Sequence, residues 1–113
     1  MRIFAKQTNY RNERLLALAK ECPRCMSCGD FNAGDVVAAH SNSQRMGKGI
    51  GLKAHDIPAY LCGDCHAIVD GRMESIIHNR ESRERMWADA VVQTWLWLMQ
   101  EGMLEISSRG LRG

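Results

Sequence analysis

Cys25-Met26-Ser27-Cys28-Gly29 and Leu61-Cys62-Gly63-Asp64-Cys65-His66 are the two stretches on which the fold turns. Each holds a Cys-x-x-Cys pair, and 33 residues separate Cys28 from Cys62. A two-residue spacer lets both sulfurs of one turn reach the same ion, so two such pairs supply the four thiolates of a tetrahedral zinc site. Gly29 and Gly63 suit the tight backbone of such turns. With four protein ligands the zinc is coordinatively closed, and its expected role is structural. A redox use of the same motif occurs singly and in a βαβ context, which this sequence lacks. Cys22 is the spare thiol. It either replaces Cys25 as a ligand, since Cys22-Pro23-Arg24-Cys25 has the same spacing, or it is buried unliganded.

The rest of the composition favours such a staple. The chain has 113 residues, enough for one domain, and Leu, Ile, Val and Phe together number 23. A core this lean is commonly completed by a metal. Net charge is only +2, which argues against disorder. The most apolar stretch, Ala88 to Met103, is interrupted by Asp89, Gln93, Gln100 and Glu101, so no membrane span is expected. The N-terminus has no apolar run of signal-peptide length. A cytoplasmic location follows as the expectation, and reduced thiols with it.

Around the cysteines the pattern predicts an α+β domain over residues 1–113, with its core at about 22–75. Asn12 to Glu21 reads as a short helix, Asp35 to His40 and Ile57 to Leu61 as short strands, and Ser41 to Asp56 as a glycine-rich loop. Pro58 suggests an edge strand. Asp64 to Val69 begins a helix that Gly71 ends. A long helix is expected over about 81–102, where Trp87, Val91, Trp95 and Leu98 recur at helical spacing. Trp95 and Trp97 are expected in the core, with self-association into a homodimer as the other reading. Charge is uneven: residues 1–53 carry nine basic and four acidic side chains, residues 54–113 six and nine. A basic half of this kind is either a solvated face or a surface for a polyanion.

His40 ends the first predicted strand and His66 directly follows the second cysteine pair. A zinc ion clamping both turns would hold these two imidazoles near each other. Taken in order, Cys-x-x-Cys, a strand ending Ala39-His40, and Leu61-Cys62-Gly63-Asp64-Cys65-His66 resemble the HNH, or ββα-metal, nuclease superfamily. Ala38-Ala39-His40-Ser41-Asn42, Gly47-Lys48-Gly49-Ile50-Gly51-Leu52-Lys53-Ala54-His55-Asp56 and the run from Leu61 to Asp70 are similar in particular to the small YbcO-like phage and prophage proteins of that superfamily. The resemblance covers about residues 22–70.

It implies a zinc-stapled ββα-metal, treble-clef-like core, flanked by a short N-terminal and a long C-terminal helix. It also implies a metal-dependent DNA endonuclease that hydrolyses phosphodiester bonds in phage or prophage recombination or DNA processing. His40 would be the general base, since imidazole accepts a proton at neutral pH. Cys25, Cys28, Cys62 and Cys65 would hold the structural Zn²⁺, and His66 would hold a catalytic cation, Mg²⁺ or another divalent ion, with Asp56 or Asp70. Asp56 would alternatively orient His40. Arg45, Lys48 and Lys53, with Asn42, would meet the DNA backbone. The expected partners are DNA and phage or host recombination proteins, in the bacterial cytoplasm. The sequence departs from the superfamily pattern at Ala39, where many members carry a metal-ligating Asp, and it has no evident Asn ahead of the second cysteine pair. Those departures leave a second reading, a non-catalytic zinc-ribbon module that binds DNA or protein.

Overall fold

The computed structural model describes residues 9–43, 46, 48, 54–73 and 79–105. Arg45, Lys53 and His78 lie outside them, as do the glycines around Lys48. The chain begins with helix α1, Glu13–Ala17, which runs into a 3₁₀ turn at Leu18–Glu21. Asn12 starts α1 because its side chain accepts the Leu15 amide, satisfying one of the free N–H groups of the first turn. Two strands follow, β1 at Val37–Ala39 and β2 at Ala59–Leu61, paired antiparallel with Ala38 opposite Tyr60. Helix α2, Gly63–Val69, follows β2 after a single residue, and the long helix α3 spans Arg80–Gln100. The fold is thus small and α+β, with a two-stranded sheet, and the strands and helices fall close to the segments expected from the sequence. The regular part of each strand is shorter.

Both ends of α3 carry local signals. Asn79 and Ser82 form a reciprocal capping box at its start. At its end the Met103 amide reaches the Leu98 carbonyl and the Gly102 amide the Met99 carbonyl, while Gly102 sits at φ +72°, the left-handed conformation a Schellman cap requires.

A two-stranded sheet leaves backbone groups unpaired on its outer edges, and β2 is buried throughout. Its outer edge is closed at Tyr60 from two directions. The Tyr60 amide donates to Thr94 Oγ1 of α3 at 3.1 Å, and the Tyr60 carbonyl accepts the Met26 amide at 2.9 Å. The first cysteine turn and α3 therefore both dock on the strand that leads into the second cysteine turn. The Tyr60 hydroxyl donates to the Leu15 carbonyl and ties α1 to the same strand. Burial pushes that hydroxyl's pKa up. The Tyr60 ring meets Trp97 edge-on, with centroids 6.1 Å apart.

The expected placement of Trp95 in the core is not what the structure shows. Trp87, Ala90, Thr94 and Leu98 are the buried residues of α3, Trp97 is half-buried, and Trp95 is 39% exposed. Helical geometry explains the exchange. At 3.6 residues per turn Thr94 lies about 20° from Trp87 around the axis, and Trp95 about 80° away. The small polar residue wins the inward position because β2 presents an amide that needs an acceptor. Thr94→Val, which keeps the shape and removes the acceptor, is expected to cost about 1–3 kcal/mol in urea denaturation, the penalty for an unsatisfied buried amide. Thr94→Ser is expected to retain most of the stability.

Candidate metal centre and histidine cleft

Cys25, Cys28, Cys62 and Cys65 bring their sulfurs within 4.8 Å of one another. Tetrahedral zinc with bonds of about 2.3 Å separates its sulfurs by about 3.8 Å. Cys28 Sγ and Cys62 Sγ stand 3.9 Å apart. These four residues could therefore hold a zinc ion, and Cys22 is not among them. Its buried thiol donates to the Arg24 carbonyl at 3.1 Å, and burial raises its pKa.

The two turns are built differently. In the first, the Ser27 and Cys28 amides point at Cys25 Sγ, each at 3.4 Å, and the Gly29 amide closes back on the Cys25 carbonyl with Gly29 at φ +81°. In the second, Cys62 is the N-cap of α2 and Cys65 sits in its first turn. Burial opposes ionisation of Cys25, but the Cys62, Cys28 and Ser27 amides outweigh it and bring the thiol down to about 7. Cys28 is pushed up to about 11 by burial and by Cys25, and Cys65 is raised by burial and by Cys62, Cys25 and Cys28. Four crowded thiols cannot all ionise unaided, and a divalent cation supplies the charge that lets them do so.

Beyond the cysteines stand two His–Asp pairs, and His40, Asp56 and Asp70 line two adjoining pockets. His40, directly after β1, places Nε2 3.0 Å from Asp56 Oδ1. Asp56 is buried and accepts the Asn12 amide at 2.8 Å on its other oxygen, while Arg11 lies 3.4 Å away. Arg11 also donates to the Ala54 carbonyl at 2.6 Å, and the Asp56 amide donates to the Tyr10 carbonyl. Residues 10–12 thus fasten the end of the long loop. An ionised carboxylate only accepts, so neutral His40 carries its proton on Nε2 and keeps its basic lone pair on Nδ1. His40 and Asp56 line a pocket of about 400 Å³ with Ser41, Asn42 and Lys48.

His66 and Asp70 form the second pair, one turn apart on α2, with Nε2 and Oδ2 3.1 Å from each other. Asp70 also takes Arg72 Nε at 3.2 Å and Asn42 Nδ2 at 3.4 Å. Asp70 and Asn42 line a smaller pocket of about 230 Å³ together with Arg80, Arg83 and Glu84. Asn42 is the residue common to both pockets. Among the described residues, no third histidine, cysteine or carboxylate joins either pair within 4.8 Å. Asp56 therefore stands beside His40, and Asp70 beside His66. Of the basic residues expected at a DNA backbone, Lys48 is exposed at the larger pocket.

Two further contacts were not visible in the sequence. Trp87 Nε1 donates to the Ala39 carbonyl at 2.9 Å, and buried Ser41 donates its hydroxyl to both Glu84 oxygens at 3.0 Å. Helix α3 thereby holds the residue on each side of His40, Ala39 by its carbonyl and Ser41 by its hydroxyl. Ala39 itself is fully buried, turned into the core.

Burial works against the charged form of Asp56, but the Asn12 amide, His40 and Arg11 more than offset it and hold its carboxyl below the usual range. A carboxyl held low in the folded state stabilises the fold above its unfolded pKa, and that contribution is lost as pH falls through the folded value. Wild-type stability is therefore expected to drop below about pH 4. Asp56→Asn is expected to lose about 1–2 kcal/mol at neutral pH, allowing for the solvent around Arg11 and His40, and to flatten the acid limb of urea midpoint against pH.

These features define a small α+β domain with a four-cysteine centre able to hold zinc, flanked by two His–Asp pairs. In comparison with known proteins, no family model, no curated protein and no solved structure matches the chain. No helix among the described residues is long and apolar enough to cross a membrane.

Proposed function

We propose that the protein is a metal-dependent DNA endonuclease of the HNH type, built on a zinc-stapled ββα core. The observation that carries this reading is the separate pairing of His40 with Asp56 and of His66 with Asp70 next to the four-cysteine centre, with Asn42 shared by the pocket at His40–Asp56 and the one at Asp70. His40, its ring fixed through Nε2 by Asp56, takes a proton from water at Nδ1. His66 and Asp70 offer one nitrogen and one oxygen, 3.1 Å apart. Cis ligands of an octahedral Mg²⁺ with bonds of about 2.1 Å are separated by about 3.0 Å, so the pair fits one edge of such a site. When bound there, the cation would offset charge developing on the phosphate and the leaving oxygen. Two protein ligands leave positions for water and phosphate. Asn42, between the pockets, positions the phosphodiester, and Lys48, with Arg45 and Lys53, follows the DNA backbone.

Ala39 favours a second reading. It takes the place where many HNH nucleases carry a metal-ligating Asp, and a protein lacking that ligand would be a zinc-ribbon module that binds DNA or a recombination partner without cutting. Plasmid nicking by zinc-loaded protein separates the two. Nicking that requires added Mg²⁺ or Mn²⁺ is the result the nuclease predicts. DNA retention without cleavage across several divalent metals and substrates belongs to the module.

A further inference from the structure

We propose that the outward face of α3 joins two copies of this chain in an antiparallel helix pair related by a two-fold axis. Val92, Trp95, Leu96 and Met99 are 58%, 39%, 45% and 47% exposed, and together they make one continuous apolar stripe along the helix. Exposed Met103, just beyond the cap, continues it. A stripe of this make-up marks a protein interface, where tryptophan and methionine are enriched and charge is depleted.

Charge identifies the occupant. From Ala90 to Gln100 the helix carries no charged residue, and the stretch is bounded by Asp89 on one side and Glu101 on the other. Acidic ends and the lack of any Lys or Arg disfavour nucleic acid or an anionic lipid surface. A second copy fits, because the stripe maps onto itself. With the axis between Trp95 and Leu96, Val92 of one chain opposes Met99 of the other, Trp95 opposes Leu96, and Ala88, also exposed, opposes Met103. The same operation sets Asp89 against Gly102 and Glu101 against Ala90, so no acid faces an acid. A parallel pair would stack Asp89 on Asp89 and Glu101 on Glu101. The antiparallel arrangement is therefore the one that the charges permit.

The face lies on the side of α3 away from β2, so pairing through it would leave the pockets at His40–Asp56 and at Asp70 open. The inference stands independently of the nuclease reading. Sedimentation velocity of the zinc-loaded full chain, from micromolar to submillimolar concentration, tests it. The expected result is a species of twice the 12.8 kDa chain mass. Leu96→Glu is expected to weaken dimerisation by about 100-fold or more, since association would bury an unpaired charge near the axis. Its zinc content and circular dichroism should match wild type, because Leu96 is exposed, and Leu96→Gln provides a milder version of the same test. Wild-type protein that stays monomeric throughout, its stripe covered by residues 1–8 or 106–113 of its own chain or by nothing, overturns the proposal. So does a dimer that persists unchanged in folded Leu96→Glu.

Discussion

Chelation of zinc from the native protein is expected to unfold it. Cys25, Cys62 and Cys65, three of the four candidate ligands, belong to the buried core, so the metal centre would be part of the core rather than an attachment to it. Besides zinc, the Met26 amide on the Tyr60 carbonyl and the Cys62 amide on the Cys25 thiol join the two turns. Structural zinc contributes about 10 kcal/mol or more to folding in small zinc domains, as much as the whole stability of a typical domain. Loss of the cooperative thermal transition on adding a strong chelator, and its return with zinc, is the expected observation. Cys65→Ser is expected to fail to retain a single equivalent of zinc and to lose the transition. Cys22→Ser should keep both, since a hydroxyl can replace the thiol as donor to the Arg24 carbonyl.

His40→Ala is expected to lower Mg²⁺-dependent nicking by about 100-fold to 10,000-fold, the contribution of a positioned general base. The side chain is 34% exposed and its ring bonds only to Asp56 among the contacts described, so zinc content and thermal transition should change little. Asp56→Asn is expected to give a smaller loss together with a displaced pH–rate profile, because the amide can present a donor to Nε2 and so favour the other tautomer of His40. A structural defect alone would not move that profile. Persistent metal-dependent cleavage by folded His40→Ala would remove His40 from the chemistry.

Much of the frame was legible in the sequence because its signals are local. The Cys-x-x-Cys spacing is a property of a single turn, and the helix that Gly71 closes ends where expected, with Gly71 at φ +74°. The His66–Asp70 pair follows from four-residue spacing on a helix. Asp56 was a candidate both to orient His40 and to bind metal, and only closure of the loop from Ser41 to Asp56 places it against His40. Arg11 and Asn12 show the same limit: they reach Asp56 across more than forty residues, and nothing in their own neighbourhood announces it. Trp95 and Thr94 show a different one. Hydrophobicity predicts the larger residue inside, whereas the buried amide of Tyr60 requires the hydroxyl. The contacts of Trp87 with the Ala39 carbonyl and of Glu84 with the Ser41 hydroxyl join α3 to a cleft that the motif alone assigns to residues 22–70.

The proposed nuclease needs a hard cation at His66 and Asp70, apart from the thiolate centre and beside the pocket that holds His40. Mn²⁺ titration of zinc-loaded protein, followed through the side-chain NMR signals of His40, His55 and His66, tests it most directly. His66 is expected to broaden first and His40 next, at Mn²⁺ levels that leave His55 sharp and the zinc in place, and Asp70→Asn is expected to abolish the effect. Equal, weak broadening of all three histidines, or none, would contradict it.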